Sequence, residues 1–218
     1  MTLLSAARSA ALRCTGTVIT SVLGSGDQIG VEMADLANDV GIDIARSHDW
    51  RALTVVYSGP GAAVTPLPDG YDRMIGGILN VDGVDPGYGP VDSLDDWSMV
   101  NGGRGRGWVL LDGAIQISPT PTNGVSFAYV SDKFVRADDT TLKSEFTMDS
   151  DQFVLDERLL TLGLIWRWKS MKGLEYAEDM RTYELALGQA QSRDRGTYAL
   201  RVGGPTFHGR RAYDNVAP

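Results

Sequence analysis

Apolar positions recur with helical spacing at both ends of the chain and alternate in its middle, so three regions separate before any motif is considered. Leu3, Leu4, Ala7, Ala10, Ala11 and Cys14 share one face of a first helix that Thr2 can cap and Gly16 can stop. A linker from Thr15 to Gly26 leads to Asp27, the next candidate cap. Ile29, Met33, Leu36, Ala37, Val40 and Ile44 then follow at steps of three and four, predicting an amphipathic helix to about Trp50. Trp50 closes it as a core anchor.

From Arg51 to about Thr147 the period shortens. Leu53, Val55 and Tyr57 alternate, Met74 to Val81 and Trp108 to Leu111 are short apolar runs, and Ala114 to Ser118 and Val125 to Val130 read as strands. The clearest hairpin cues are Leu110 to Ile115, around Asp112-Gly113, and Pro121 to Val125, around Asn123-Gly124. Further turns are signalled at Ser58-Gly59-Pro60, Pro66 to Gly70, Asp82-Gly83 and Pro86-Gly87. Ser93 can cap a short helix to about Val100, with Asp95 and Asp96 favourable in its first turn. The expectation is a small antiparallel sheet or barrel of about five to seven strands.

Helical spacing returns after Asp149-Ser150-Asp151. Asp156 and Glu157 open a helix that runs to Lys172 and stops at Gly173, with Leu159, Leu162 and Trp166 on one stripe and Leu160, Leu164 and Trp168 on another. A helix so apolar must be buried on several sides. The last helix, about Leu174 to Arg193, aligns Tyr176, Met180, Tyr183, Leu187 and Ala190. Neither helical pair is large enough to bury its own faces, so the two are expected to pack together. The fold class is therefore α+β: a discontinuous α-helical bundle of N- and C-terminal helices (1–50 and 149–195), an inserted small antiparallel β domain (51–148), and an extended C-terminal tail (196–218).

Composition narrows the function. With 43% apolar and 22% charged residues among 218, the chain has a globular make-up, and its 26 glycines cluster in the β-rich middle. A net charge of -8 argues against coating nucleic acid, which needs a basic field, yet suits a wall that DNA passes without being gripped. Cys14, the only cysteine, excludes an intrachain disulfide and reads as a packed thiol. Arg8 and Arg13 interrupt what would be a signal sequence, and no apolar run is long enough to span a membrane.

Candidate chemistry is sparse. There is no G-x-S-x-G, and His48 and His208 are the only histidines, too few for a histidine-based zinc site; His48 reads as a surface or capping residue. Gly24-Ser25-Gly26 with Gly30 has the wrong spacing for a dinucleotide loop and reads as a flexible link. Gly102 to Gly107, with Arg104 and Arg106, looks like an RGG repeat but reads as a loop between elements. The pairs Asp95-Asp96, Asp138-Asp139 and Asp149/Asp151 lack a cation-loop pattern and read as caps and solvated turns. No catalytic residue, cofactor or metal site is assigned, and the chain reads as a structural part.

Three stretches resemble the head-to-tail adaptor (connector) proteins of tailed bacteriophages. They are IARSHDWRALT at the end of the second helix, TPLPDGYDRMIGG before a strand, and FTMDSDQFVLDERLLTLGLIWRWKSMKGLEYAEDMRTYELAL over the C-terminal helix pair, the most specific of the three. The resemblance covers about two thirds of the chain, and Asp82 to Asn123 agrees least. It implies a virion protein of the neck, made in the host cytoplasm. In this picture copies join in a ring, commonly of twelve, docked between the portal protein and a downstream tail or nozzle protein, with transient contact to DNA in the lumen and none to membrane. Helices with more than one apolar stripe would serve the two unlike faces of such a ring. The acidic surface leads us to expect a monomer before docking.

In the tail, Tyr198, Arg201, Phe207, Arg210, Arg211 and Tyr213 are the candidate portal-binding residues, and Arg104 and Arg106 are candidates for a loop facing the DNA channel. A rival reading is a tail-associated carbohydrate-binding module with Trp97 and Trp108 as exposed platforms; a third is a hydrolase built on one of the aspartate pairs.

Overall fold

A computed structural model describes residues 2–24 and 26–195. Helix α1, Leu3–Thr15, opens on a capping box: the Thr2 hydroxyl accepts from the Ser5 amide at 3.3 Å and the Thr2 amide donates to Ser5 Oγ at 3.0 Å. Gly16 ends it in the left-handed conformation, φ 74°. Helix α2, Gln28–Arg46, stops four residues short of Trp50. The Trp50 indole N–H turns back to donate to the Ile44 carbonyl at 2.7 Å, and the Ser47 hydroxyl donates to the same oxygen at 2.8 Å. Those bonds satisfy a carbonyl that a longer helix would have used. Trp50 is the expected core anchor, but from outside the helix, as the residue before a single 3-10 turn, Arg51–Leu53.

Helix α4, Glu157–Met171, follows Asp156, whose carboxylate accepts from the Arg158 amide at 2.9 Å. Every residue from Leu159 to Ile165 is buried. The cause is central placement: α1, α2 and helix α5, Ala177–Arg195, all pack on α4. Ala6, Ala7, Ala10 and Ala11 let α1 lie close, and Gly163 lets α2 lie close, because a Cβ on it would sit 2.4 Å from Val40 Cγ1. The N-terminal and C-terminal helices thus meet in one bundle. The Leu3 amide donates to the Asp151 carbonyl at 2.7 Å, and the Ser5 hydroxyl to Glu157 at 2.7 Å. Ile19 and Val22 of the linker are also buried in this core, which the linker's lack of periodicity concealed.

Between the helices lie strands β1 (Thr54–Gly59), β2 (Val64–Pro66), β3 (Tyr71–Met74), β4 (Leu79–Val81) and β5 (Val84–Tyr88), the short helix α3 (Leu94–Asn101), and strands β6 (Gly107–Leu111), β7 (Ala114–Ser118) and β8 (Val125–Ser131). Three two-residue strands follow: β9 (Val135–Arg136), β10 (Leu142–Lys143) and β11 (Gln152–Phe153). All pairings between these strands are antiparallel. Strand β8 is the axis of the larger sheet. It pairs with β1 along one side, from Thr54 opposite Val130 to Gly59 opposite Val125, and with β3 and β4 along the other. A second sheet runs β2-β7-β6. A second hydrophobic core, including Leu79, Ile115, Ile117, Val125 and Phe127, draws on both sheets. Phe134, Phe146 and Phe153, by contrast, pack into the helical core.

The α+β expectation holds, with more strands than expected because pieces of two or three residues leave no alternation to read. Asp112-Gly113 makes the expected two-residue hairpin between β6 and β7, with both residues at positive φ (52° and 70°). Asn123-Gly124 does not make a hairpin: it lies on the crossing from β7 in one sheet to β8 in the other. The Asn123 side-chain amide donates to the Asp82 carbonyl at 2.8 Å, and the Asp82 amide donates to the Gly124 carbonyl at 3.1 Å. Nor do Leu53, Val55 and Tyr57 line one buried face. Leu53 belongs to the 3-10 turn and the helical core, while Val55 stays 39% exposed because β1 is a sheet edge.

Candidate docking surfaces

Helix α5 ends in a polar knot beside the start of the β region. The Asp194 carboxylate accepts from the Arg51 amide at 3.1 Å and stands 3.3 Å from His48 Nε2, while the Arg51 guanidinium donates to the Arg195 carbonyl at 2.9 Å. Gln191 donates from its side chain to the Ser47 carbonyl at 3.2 Å. The His48 ring meets Trp50 edge-on, with centroids 5.1 Å apart. His48 is therefore neither a surface residue nor a cap: its side chain is mostly covered, locked between α2 and α5. Arg73 ties the same corner to the sheet, donating to the Asp49 carboxylate at 2.9 Å and the His48 carbonyl at 2.8 Å. Sequence reading found the RSHDWR stretch but not its partner Asp194, which lies 146 residues beyond His48 and stands out by no spacing rule.

Asp149 and Asp151 form a second knot, and solvated turns do not describe it. Asp151 is 0% exposed and accepts from Lys143 Nζ at 2.7 Å and from the Thr147 and Met148 amides at 2.7 and 2.9 Å. Burial pushes its carboxyl up, yet the Lys143 bond, the two amide bonds and the Lys143 charge together hold it below the usual carboxylate range. Asp149 accepts from the Val22 and Leu23 amides at 3.0 and 2.7 Å; burial again opposes ionisation, and the bonds from Leu23, Ser21 and Val22 still hold its carboxyl low. These carboxylates clip the linker and the Lys143 to Asp151 turn onto the helical core. Asp96 is occupied likewise, its carboxylate accepting from the capping Ser93 hydroxyl at 2.7 Å, and Asp139 accepts from the Thr141 amide at 3.0 Å.

A cleft of about 290 Å³ separates α2 from the segment after β8, lined by Asn38, Arg46, Asp72, Asp132, Phe134 and Glu145 among others. Asp72 pairs with Arg73 at 2.5 Å and with Arg46 at 3.6 Å; Asp132 Oδ1 is buried without a hydrogen-bond partner. Among the described residues no group of three or more His, Cys, Asp or Glu is placed to hold a metal ion. Burial pushes the Cys14 thiol up to about 11, against the opposing charge of Lys169, which keeps it protonated at neutral pH and fits a packed thiol.

Several expected surface residues are relocated. Trp97 and Trp108 are each only 8% exposed, and the Trp108 indole donates to the Gly77 carbonyl at 3.0 Å, so neither is a sugar platform. The apolar stripes of α4 face α1, α2 and α5 and are not free for neighbouring copies. Arg104 and Arg106 lie exposed in the turn between α3 and β6, where the Arg104 amide donates to the Met99 carbonyl at 3.0 Å. Tyr198, Arg201, Phe207, Arg210, Arg211 and Tyr213 lie outside the described residues.

What fold and surfaces define together is an α+β protein with two hydrophobic cores, knotted by hydrogen-bonded carboxylates at the junctions of its segments. The family model described as SU10 adaptor protein matches residues 1–203, and the chain belongs to that family. The resemblance to phage head-to-tail adaptors is thereby borne out, across a longer span than the three motifs cover. No curated protein matches the chain. No helix among the described residues is long and apolar enough to cross a membrane.

Proposed function

We propose that this phage adaptor acts at the neck of the virion, where copies close into a ring, of twelve subunits, that joins the portal protein to a downstream tail or nozzle protein and lets DNA pass through its lumen. The family match over residues 1–203 carries the reading. Two features support it. A net charge of -8 per copy makes an assembled ring strongly acidic, which suits a conduit that must release DNA. The polar knot around Asp194 pins the end of α5 to the start of the β region, which supports a tail that sets out from that corner.

In this reading the helical unit (1–50 and 149–195) is the scaffold, the insertion (51–148) supplies contacts to neighbours, and the tail (196–218) reaches the portal through Tyr198, Arg201, Phe207, Arg210, Arg211 and Tyr213. Arg104 and Arg106 make passing contacts to DNA phosphates. The role is mechanical and needs no turnover. Imaging of the purified protein mixed with its portal tests the assignment: rings on the portal are expected, and particles that never associate would overturn it. Deleting residues 196–218 is expected to abolish portal binding and leave the fold intact; undiminished binding would remove the tail from the interface.

A further inference from the structure

Among the described residues, the larger sheet has one edge that nothing guards. Natural sheets blunt their edges with proline, bulges, charge or covering segments, because unpaired amides and carbonyls recruit other strands. The other edges here are blunted in those ways. Strand β2 is three residues long and ends in Pro66, β3 is bulged between Tyr71 and Arg73, and β5 contains Pro86. Strand β6 is covered by the segment through Gly89 and Val91, which exchanges backbone bonds with Trp108 at 3.0 and 2.9 Å. Strand β1 is different. Its six residues, Thr54-Val55-Val56-Tyr57-Ser58-Gly59, pair with β8 in unbroken register, carry no charge and no proline, and have no strand on the other side among the described residues. Val56 is 70% exposed and Val55 39%.

The occupant is named by where the chain goes next. Arg51 holds both Asp194 and the Arg195 carbonyl, and β1 begins three residues after Arg51. Arg195, the last described residue, therefore lies at the foot of β1. The sequence that follows, Thr197-Tyr198-Ala199-Leu200-Arg201-Val202, alternates as a strand does, with Tyr198, Leu200 and Val202 on one face and Thr197, Ala199 and Arg201 on the other, and Gly203-Gly204-Pro205 closes the pattern. Six residues match the six of β1.

We infer that residues 197–202 dock on the free edge of β1 in the same chain as an added strand parallel to it. Parallel follows from both strands setting out from Arg51. Tyr198, Leu200 and Val202 then extend the face on which Val55 lies and Tyr57 stacks on Phe127, with centroids 4.9 Å apart, while Arg201 stays on the opposite face with Val56. Pairing withdraws Tyr198 and Arg201 from the portal contact proposed above and leaves Phe207, Arg210, Arg211 and Tyr213 to make it, so the tail divides into an anchor and a probe.

Hydrogen exchange on the full chain tests it. The amides of residues 54–59 that do not face β8 are expected to be protected, and Ala199→Pro, which removes a strand donor, is expected to speed their exchange by about tenfold or more. A second variant, Leu200→Asp, is expected to do the same without altering the backbone. Arg210→Ala with Arg211→Ala serves as the contrast: exchange at β1 stays unchanged while portal affinity falls. Unaltered exchange at β1 in both Ala199→Pro and Leu200→Asp would overturn the docking. Protection that grows with protein concentration would overturn the same-chain assignment in favour of copy-to-copy pairing.

Discussion

The helical core and the β region use their apolar residues in opposite ways. In the helical core nearly every large apolar side chain of α4 is covered by three neighbouring helices, and glycine and alanine stand where two helices come closest. In the β region Val55, Val56, Val64 and Leu110 remain exposed on strands, and polar side chains bond at turns and crossings. The difference teaches that apolar character alone does not mark a docking face. Helix α4 spends its apolar stripes inside the bundle, with every residue from Leu159 to Ile165 buried, while a six-residue strand has an open edge.

Substitutions on either side sharpen this contrast. The largest effect is expected for Leu160→Ala in α4, whose side chain is fully buried: a loss of about 2–5 kcal/mol in urea unfolding, from lost burial and an unfilled cavity. A loss below about 1 kcal/mol would show that α4 is less tightly held than its burial states.

Next comes Asp151→Asn. It removes the charge facing Lys143 while keeping the side chain's shape, and about 2–3 kcal/mol of stability should go at neutral pH, less than for a fully buried pair because Lys143 keeps a quarter of its side chain in water. The sign of the pH dependence follows from the low folded-state values of Asp149 and Asp151. As pH falls, the unfolded chain takes up protons at these sites first. Their contribution is therefore complete above about pH 5 and is lost progressively below about pH 4. Urea midpoints measured from pH 7 to pH 3 are expected to fall more steeply for the unmodified chain than for Asp151→Asn; parallel curves would remove Asp151 from the acid response.

The smallest effect is expected for Val56→Lys on β1. Its side chain is mostly in water, so stability should change by no more than about 0.5 kcal/mol. A large loss would mean that this valine is covered in solution.

Much of the fold was legible because short-range chemistry wrote it. Thr2 and Gly16 bracket α1, Asp156 opens α4, and Asp112-Gly113 closes a hairpin, each by bonds or backbone angles within a few residues. Misreadings arose where a distant partner decided. Trp50 matched the spacing of α2, yet its indole folds back onto Ile44. Asn123-Gly124 has hairpin composition, but the strands on either side belong to different sheets. Trp97 and Trp108 were candidates for exposure, yet both are buried, Trp108 in the second core. Of the candidate surfaces, the RSHDWR corner could be seen in the sequence, whereas its closure by Asp194 and Arg195 could not.

By itself the sequence determined where the helices lie and where the longer strands run, that the two terminal helical segments must share a core, and the adaptor family the chain resembles. Periodicity and caps act over a few residues, and a face too apolar for water must find another. Tertiary structure alone decided which apolar faces were used up inside, which carboxylates became buried clips, and which strand kept an open edge. Those outcomes depend on neighbours a hundred or more residues away, and neither spacing nor composition records who they are.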